Sequence, residues 1–122
     1  MSRPGGRILV VEDFDSLRAL VVRVLTSEGY ETVGVGTVRD ALAASASEHF
    51  DLLVTDHTLP GGNGNEIARE AVEAHPGLGV LFMSGSPETT LDLDVPGART
   101  RFLEKPFDID ALVALVAELL AP

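Results

Sequence analysis

Arg7-Ile-Leu-Val-Val-Glu-Asp13 is the stretch that decides the fold. From Arg7 to Val11 it is an apolar run of strand length, the pattern of a strand covered on both faces, and it stops on two carboxylates. Working outward, the same alternation of short apolar run and helical pattern recurs along the chain. Leu17, Leu20, Val21, Val24 and Leu25 repeat at helical spacing, and Gly29 closes that helix. A second strand over Glu31–Val35 leads to a helix that starts at Thr37 and Asp40 in the manner of a capping box and runs to about Ser47. Leu52–Thr55 is a third strand ending at Asp56, and Leu59-Pro-Gly-Gly-Asn-Gly64 has the composition of a loop. A third helix reaches about Ala74, where Pro76 and Gly77 stop it. Val80–Met83 and Arg101–Glu104 are the last two strands. Asp108 caps a final helix with Ile109, Leu112, Val113, Val116, Leu119 and Leu120 toward the core.

Parallel strands need crossover connections, and right-handed crossovers leave few arrangements. The pattern therefore predicts an α/β fold, a doubly wound five-stranded parallel sheet with helices on both faces. One domain is expected over residues 7–120, preceded by a disordered segment over residues 1–6. An apolar fraction of 45% over 122 residues suffices for a real core and is too high for a disordered chain.

Charge and composition narrow the function. A net charge of −10 leaves little to neutralise phosphates, so direct nucleic-acid binding is not expected. The nearly apolar stretch Ala111–Leu120 is too short to span a bilayer and carries Glu118. No leader precedes the first strand, so a cytoplasmic protein without membrane attachment is expected. Zero cysteines exclude disulfides and thiolate metal sites.

Open parallel sheets bind ligands at the carboxyl ends of their strands. Glu12 and Asp13 follow the first strand, Asp56 the third, Ser84 the fourth and Lys105 the fifth. Two carboxylates about 4 Å apart repel by roughly 4 kcal/mol at an effective dielectric near 20. Lys105 offsets one of the three charges, and a bound Mg²⁺ (or Mn²⁺) would offset the other two. The cluster thus reads as a hard-cation site to be completed by water. Taken alone, Glu12 and Asp13 read equally well as solvated residues at the start of a helix.

Val10-Val-Glu-Asp13, Val54-Thr-Asp-His-Thr-Leu-Pro-Gly61, Phe82-Met-Ser-Gly85 and Phe102-Leu-Glu-Lys-Pro-Phe107 together resemble the receiver domains of two-component response regulators. Met83-Ser-Gly-Ser86 is closest in flavour to the receivers of hybrid sensor kinases. The resemblance covers about Arg7 to Leu120 and implies a flavodoxin-like, chemotaxis-regulator-like fold with strand order 2-1-3-4-5. It also implies that Asp56 accepts a phosphoryl group from a histidine kinase or a histidine phosphotransfer protein in a phosphorelay. Glu12, Asp13, Asp56 and the backbone carbonyl of Thr58 would hold Mg²⁺. Ser84 and Lys105 would grip the phosphoryl oxygens, Phe102 would be the switch aromatic, and the Lys105–Pro106 peptide would be cis. The chemistry is compatible: a carboxylate is a competent nucleophile toward phosphorus, and a hydroxyl at Ser84 can make a contact that exists only after modification.

Gly62 and Asn63 depart from the family pattern, which predicts a soft loop after Asp56. His57 reads as a solvent-facing neighbour of the site, and His49 and His75 as surface residues. Between Gly85 and Thr100, the residues Thr89, Thr90, Asp92 and Asp94 are poor helix formers and Pro96 forbids continuation. A short or frayed fourth helix over Glu88–Val95 is expected, mobile before phosphorylation. Output would then use the first helix, other protein contacts or flanking domains, rather than a regular fourth-helix face. Two rivals are a Mg²⁺-dependent phosphohydrolase working through an aspartyl-phosphate and a degenerate receiver acting only as an interaction module. The first would place a second acidic residue where Thr58 stands, and the intact residue set opposes the second. On this reading the protein is no enzyme beyond its own phosphorylation and dephosphorylation.

Overall fold

A computed structural model describes residues 6–87 and 91–121. Its elements run β1 (Arg7–Val11), α1 (Asp15–Ser27), β2 (Glu31–Val35), α2 (Val38–Ser47), β3 (Leu52–Asp56), β4 (Thr58–Leu59), β5 (Gly62–Asn63), α3 (Gly64–Ala74), β6 (Gly79–Ser84), β7 (Arg99–Glu104) and α4 (Ile109–Leu120). Five strands form a parallel sheet in the order β2-β1-β3-β6-β7, which is the predicted order with the small β4–β5 hairpin set aside.

The unbroken apolar runs are explained by two cores, one on each face. Leu9, Val11, Leu53, Val80 and Phe82 point to one side, where Ala41 and Ala44 of α2 and Ile67, Ala68 and Ala71 of α3 close over them. Their neighbours Ile8, Val10, Leu52, Val54, Leu81 and Met83 point to the other, against Val21 and Leu25 of α1 and Leu112, Val116 and Leu119 of α4. Every residue of such a strand is inside, and each large side chain removed from water contributes about 1.5–3 kcal/mol.

Helix ends follow the sequence in part. Gly29, at φ 99°, ends α1 with its N–H on the Thr26 carbonyl. The Thr37 side chain accepts from Asp40 N at 3.0 Å, as predicted. Asp108 occupies the N-cap of α4, but its side chain makes no capping bond. Ile109 is exposed and Val113 only half-buried, contrary to expectation; Ala111 and Leu115 pack beside the core instead. The loop after Asp56 is firmer than composition suggests. Thr58–Leu59 pairs with Gly62–Asn63 across a turn at Gly61 (φ 83°), and Asn63 and Glu66 form a full capping box for α3.

Residues 1–5 of the expected disordered start lie outside the described residues, whereas Gly6 is held, its carbonyl accepting from Glu31 N. Glu88, Thr89 and Thr90 of the expected fourth helix also lie outside them. Among the described residues no helix stands between Ser84 and Arg99, and Leu91–Val95 is non-helical. No helix among the described residues is long and apolar enough to cross a membrane.

Candidate functional site

Four strand ends converge at the carboxyl edge of the sheet. Asp56 and Ser84 are the last residues of β3 and β6, while Glu12 and Lys105 come immediately after β1 and β7. Parallel register sets their heights: Val11 lies beside Thr55, Asp56 beside Met83, and Ser84 beside Glu104. Lys105 N donates to the Ser84 carbonyl at 2.8 Å, and the Lys105–Pro106 bond is cis, as expected.

Lys105 Nζ sits 2.7 Å from Glu12 Oε1 and 2.7 Å from Asp56 Oδ1. Glu12 is wholly buried and Asp56 nearly so, whereas Asp13 is exposed. Glu12 Oε2 also accepts from Phe14 N at 3.0 Å, so both of its oxygens are engaged. Asp56 Oδ2, by contrast, is buried with no hydrogen-bond partner among the described residues. Burial, with Glu12 alongside, pushes the Asp56 carboxyl up to about 8 despite Lys105. Burial opposes ionisation of Glu12 as well, yet the neighbouring Asp56 carboxyl and its bonds from Lys105 Nζ and Phe14 N prevail and hold it below the usual carboxylate range. Lys105 is likewise held above its ordinary value, because the two carboxylates outweigh its own burial.

One oxygen each from Glu12, Asp13 and Asp56 lies within 4.8 Å of the others. An all-oxygen donor set of net negative charge, with a bare carboxylate oxygen on Asp56, fits a hard divalent cation. Asp13, Asp56, Thr58, Ser84, Gly85 and Lys105 line an open cavity of about 270 Å³ at this point. A Cβ on Gly85 would meet nothing within 4 Å, so the entrance stays clear. Ser84 Oγ accepts from Ser86 N at 3.0 Å, which leaves its own O–H to donate into the cavity. Phe102 is half-buried on β7, opposite Phe82 in register.

Three contributors escaped the sequence. A Cβ on Gly64 would come 2.2 Å from the Asp56 carbonyl oxygen, so only glycine permits α3 to start beside Asp56. Arg18 Nη1 donates to the Glu12 carbonyl at 3.0 Å and anchors the turn that presents Asp13. His57 is half-buried rather than solvent-facing: Nε2 donates to the Asp92 carbonyl at 2.9 Å and the ring packs edge-on against Phe82. Of the other two histidines, His49 is exposed as expected. His75 is buried, with Nε2 donating to the Ser45 carbonyl at 2.9 Å.

Comparison with known proteins places this geometry. The family description "Response regulator receiver domain" matches residues 8–117. The response regulator receiver protein CpdR of Brucella abortus is 33% identical over 115 residues, covering 93% of this chain and 96% of that protein. The sensor kinase CckA of the same organism is 33% identical over 119 residues, which are 95% of this chain but 13% of the kinase. Among solved structures, the receiver domain of the hybrid histidine kinase CckA superposes with a TM-score of 0.81 at 33% identity, covering 95% of this chain and 100% of that one. The response regulator TrrA of Thermotoga maritima, solved in complex with Mg(2+)-BeF, does so with a TM-score of 0.82 at 30% identity over 95% and 100% of the two chains. Receiver domains bind Mg²⁺ at an acidic pocket and interact with histidine kinases or phosphotransfer proteins. With its sheet order, its acidic pocket and its near full-length match, this chain belongs to the receiver domain family of two-component response regulators.

Proposed function

We propose that Asp56 is the phosphoacceptor of this receiver, and that residues 7–120 form the functional unit. The observation that carries the reading is Asp56 Oδ2, a buried carboxylate oxygen without a partner among the described residues, on a residue that lines a cavity ringed by oxygen ligands and Lys105. Oδ2 attacks the phosphorus of a phosphohistidine. The new O–P bond forms as the N–P bond breaks, and the departing imidazole keeps the electron pair and takes up a proton. Lys105, already against Oδ1, holds the incoming phosphoryl oxygens as a compact positive charge, and the free O–H of Ser84 donates to one of them.

Asp13, Asp56 and the backbone carbonyl of Thr58 would hold Mg²⁺ directly. Glu12 would act from behind them, because both of its oxygens are already bonded. When bound, the ion orients the phosphoryl group and spreads its charge. Phe102, half-buried on β7 opposite Phe82, is the aromatic whose packing would respond. A hydrolase would need an acid–base group at Thr58, which has none near neutral pH.

The phosphodonor is a histidine kinase or a phosphotransfer protein. An apolar groove lined by Leu17, Leu20, Pro106, Phe107 and Ile109 opens beside Lys105, with Phe14 exposed nearby, and suits an apolar helix face carrying the donor histidine. Incubation with acetyl phosphate and Mg²⁺, followed by intact-mass spectrometry, should show one added phosphoryl group, lost with chelator and in Asp56→Asn. Equal labelling of Asp56→Asn would sink the assignment.

A further inference from the structure

We infer that His57 mechanically links Asp56 to the strap Leu91–Ala98, the non-helical segment leading into β7, so that phosphorylation is read out as a change in the strap's stability. The inference rests on the reading of Asp56 as phosphoacceptor and adds the route by which its state leaves the site.

The strap is built into the domain. Val95 is buried and Leu93 half-buried against the core that contains Phe82. Its polar backbone is held from the site side. The Asp92 carbonyl accepts from His57 Nε2 at 2.9 Å and from Asn65 Nδ2 at 3.0 Å, and the Asp94 carbonyl accepts from Asn65 at 3.2 Å and Arg69 at 3.1 Å. Asn65 is itself 7% exposed, so its two bonds are inside.

His57 differs from the α3 residues because it adjoins the nucleophile. Its N–H donates to the Met83 carbonyl at 2.9 Å and its own carbonyl accepts from Gly64 N at 2.7 Å, so its backbone is clamped between β6 and α3. The ring is fixed as well. A carbonyl can only accept, so Nε2 carries the proton; Nδ1 is buried with no partner among the described residues, and Phe82 lies 5.8 Å away edge-on. A shift of the β3 terminus therefore cannot be absorbed by rotating the ring without breaking the bond to Asp92. New contacts from a phosphoryl group to Ser84 and Lys105 tighten the end of β6, which forms one side of this clamp, and of β7 beyond it, and His57 passes the tightening to the strap.

Asp94 N, bonded to Asp92 Oδ1, and Ala98 N, bonded to the Val95 carbonyl, are the amides that report on the strap. Hydrogen exchange would be followed at both, with and without acetyl phosphate and Mg²⁺, in wild type, His57→Phe and His57→Gln. Phenylalanine keeps a ring against Phe82 and loses the donor; glutamine keeps a donor near the Nε2 position. Thermal melts show that each variant folds, and intact mass shows its phosphorylation on the same sample.

In unmodified His57→Phe, Asp94 and Ala98 should exchange about fivefold faster, the factor expected for one hydrogen bond. Leu17–Leu25 should not change, and His57→Gln should recover most of the difference. Phosphorylation should slow both strap amides at least about threefold in wild type and leave them unmoved in an equally phosphorylated His57→Phe. Unchanged basal exchange in His57→Phe, the same slowing in His57→Phe as in wild type, or no slowing in phosphorylated wild type would each overturn the link. A wild-type mass without added phosphoryl overturns the reading of Asp56 and the link with it, and the spectrum separates that failure from the others.

Discussion

The two ends of the sheet are built on opposite electrostatic principles. At the amino end every named charge has its match. Arg7 pairs with Glu48 at 2.5 Å, donates to the His49 carbonyl and lies over the Phe50 ring, while its N–H reaches Asp51. His49 meets Asp51, and Arg99 closes on the Leu119 carbonyl at the end of α4. A cavity of about 300 Å³ lies there too, yet its polar lining is already bonded to itself. At the carboxyl end one lysine faces two buried carboxylates and a third at the surface, and a buried oxygen is left over. A cavity by itself marks nothing; the end that keeps its charges unbalanced is the end prepared for a cation and a phosphoryl group.

The largest effect should come from deleting Lys105, the cation that touches the buried carboxylates of the unbalanced end. Lys105→Met strands the buried Glu12 charge beside an Asp56 that keeps its proton, and breaking a buried pair by removing one partner costs about 3–5 kcal/mol. The thermal midpoint should fall by about 10 °C or more at neutral pH in chelator. A loss below about 1 kcal/mol would mean that water already screens this end as well as the other.

Divalent metal should act in the opposite sense and somewhat more weakly. Mg²⁺ binding the folded state alone raises stability by mass action, about 2.7 kcal/mol at a hundredfold excess over the dissociation constant. The rise should shrink in Asp13→Asn and vanish in Asp13→Asn with Asp56→Asn. Because a proton and the metal compete for Asp56, the rise should also be larger at pH 8.5 than at pH 5.5. Differential scanning fluorimetry across Mg²⁺ concentrations would decide, and a midpoint indifferent to millimolar Mg²⁺ would remove the metal site.

Without metal, the raised Asp56 carboxyl gives a pH slope whose sign is fixed. Between its ordinary value of 3.8 and about 8, the folded protein keeps a proton that the unfolded chain has released. The unfolded state then binds fewer protons, so stability falls as pH rises through that window and levels off above it. Asp56→Asn removes the titrating group and should flatten this part of the profile, raising the neutral-pH midpoint by about 5 °C. Urea titrations in chelator from pH 5 to 9 give the slope; a rising slope in wild type would contradict a buried, proton-holding Asp56.

How much of this could be read in advance depended on the range of the interaction concerned. Glu12, Asp13, Asp56, Ser84 and Lys105 were legible because each ends an apolar strand, and parallel strands bring their ends together whatever the helices do. The doubly wound parallel sheet came from the same alternation, and its strand order from the family resemblance. The Asn63–Glu66 capping box was present as a local pattern, yet glycines around it read as a loose loop. Other features left no local trace. His75 is buried because the Ser45 carbonyl, thirty residues away in sequence, faces it across the α2–α3 contact. Gly64 is required by the backbone distance to Asp56, and His57 turns inward because Asp92 meets it from a segment 35 residues later. Ile109 shows the limit of periodicity: it shares the stripe of Leu112 and Val116 but sits in the first turn of α4, exposed.

The smallest effect should come from the balanced end, and it tests the comparison most directly. Glu48→Gln removes the formal partner of Arg7, as Lys105→Met removes that of Glu12, and the two ion pairs have similar lengths. Their surroundings differ. Arg7 and Glu48 are both partly exposed, and Arg7 keeps the His49 carbonyl and the Phe50 ring after the change. A charge still solvated and still bonded suffers little, so the loss should lie between about 0.2 and 1 kcal/mol and diminish further in high salt. Acetyl phosphate labelling should match wild type, since the residue lies at the far end of the sheet from Asp56. Chemical denaturation beside Lys105→Met gives both numbers under one condition. A Glu48→Gln loss approaching that of Lys105→Met would show that ion-pair distance, and not the balance of buried charge, decides what each end contributes.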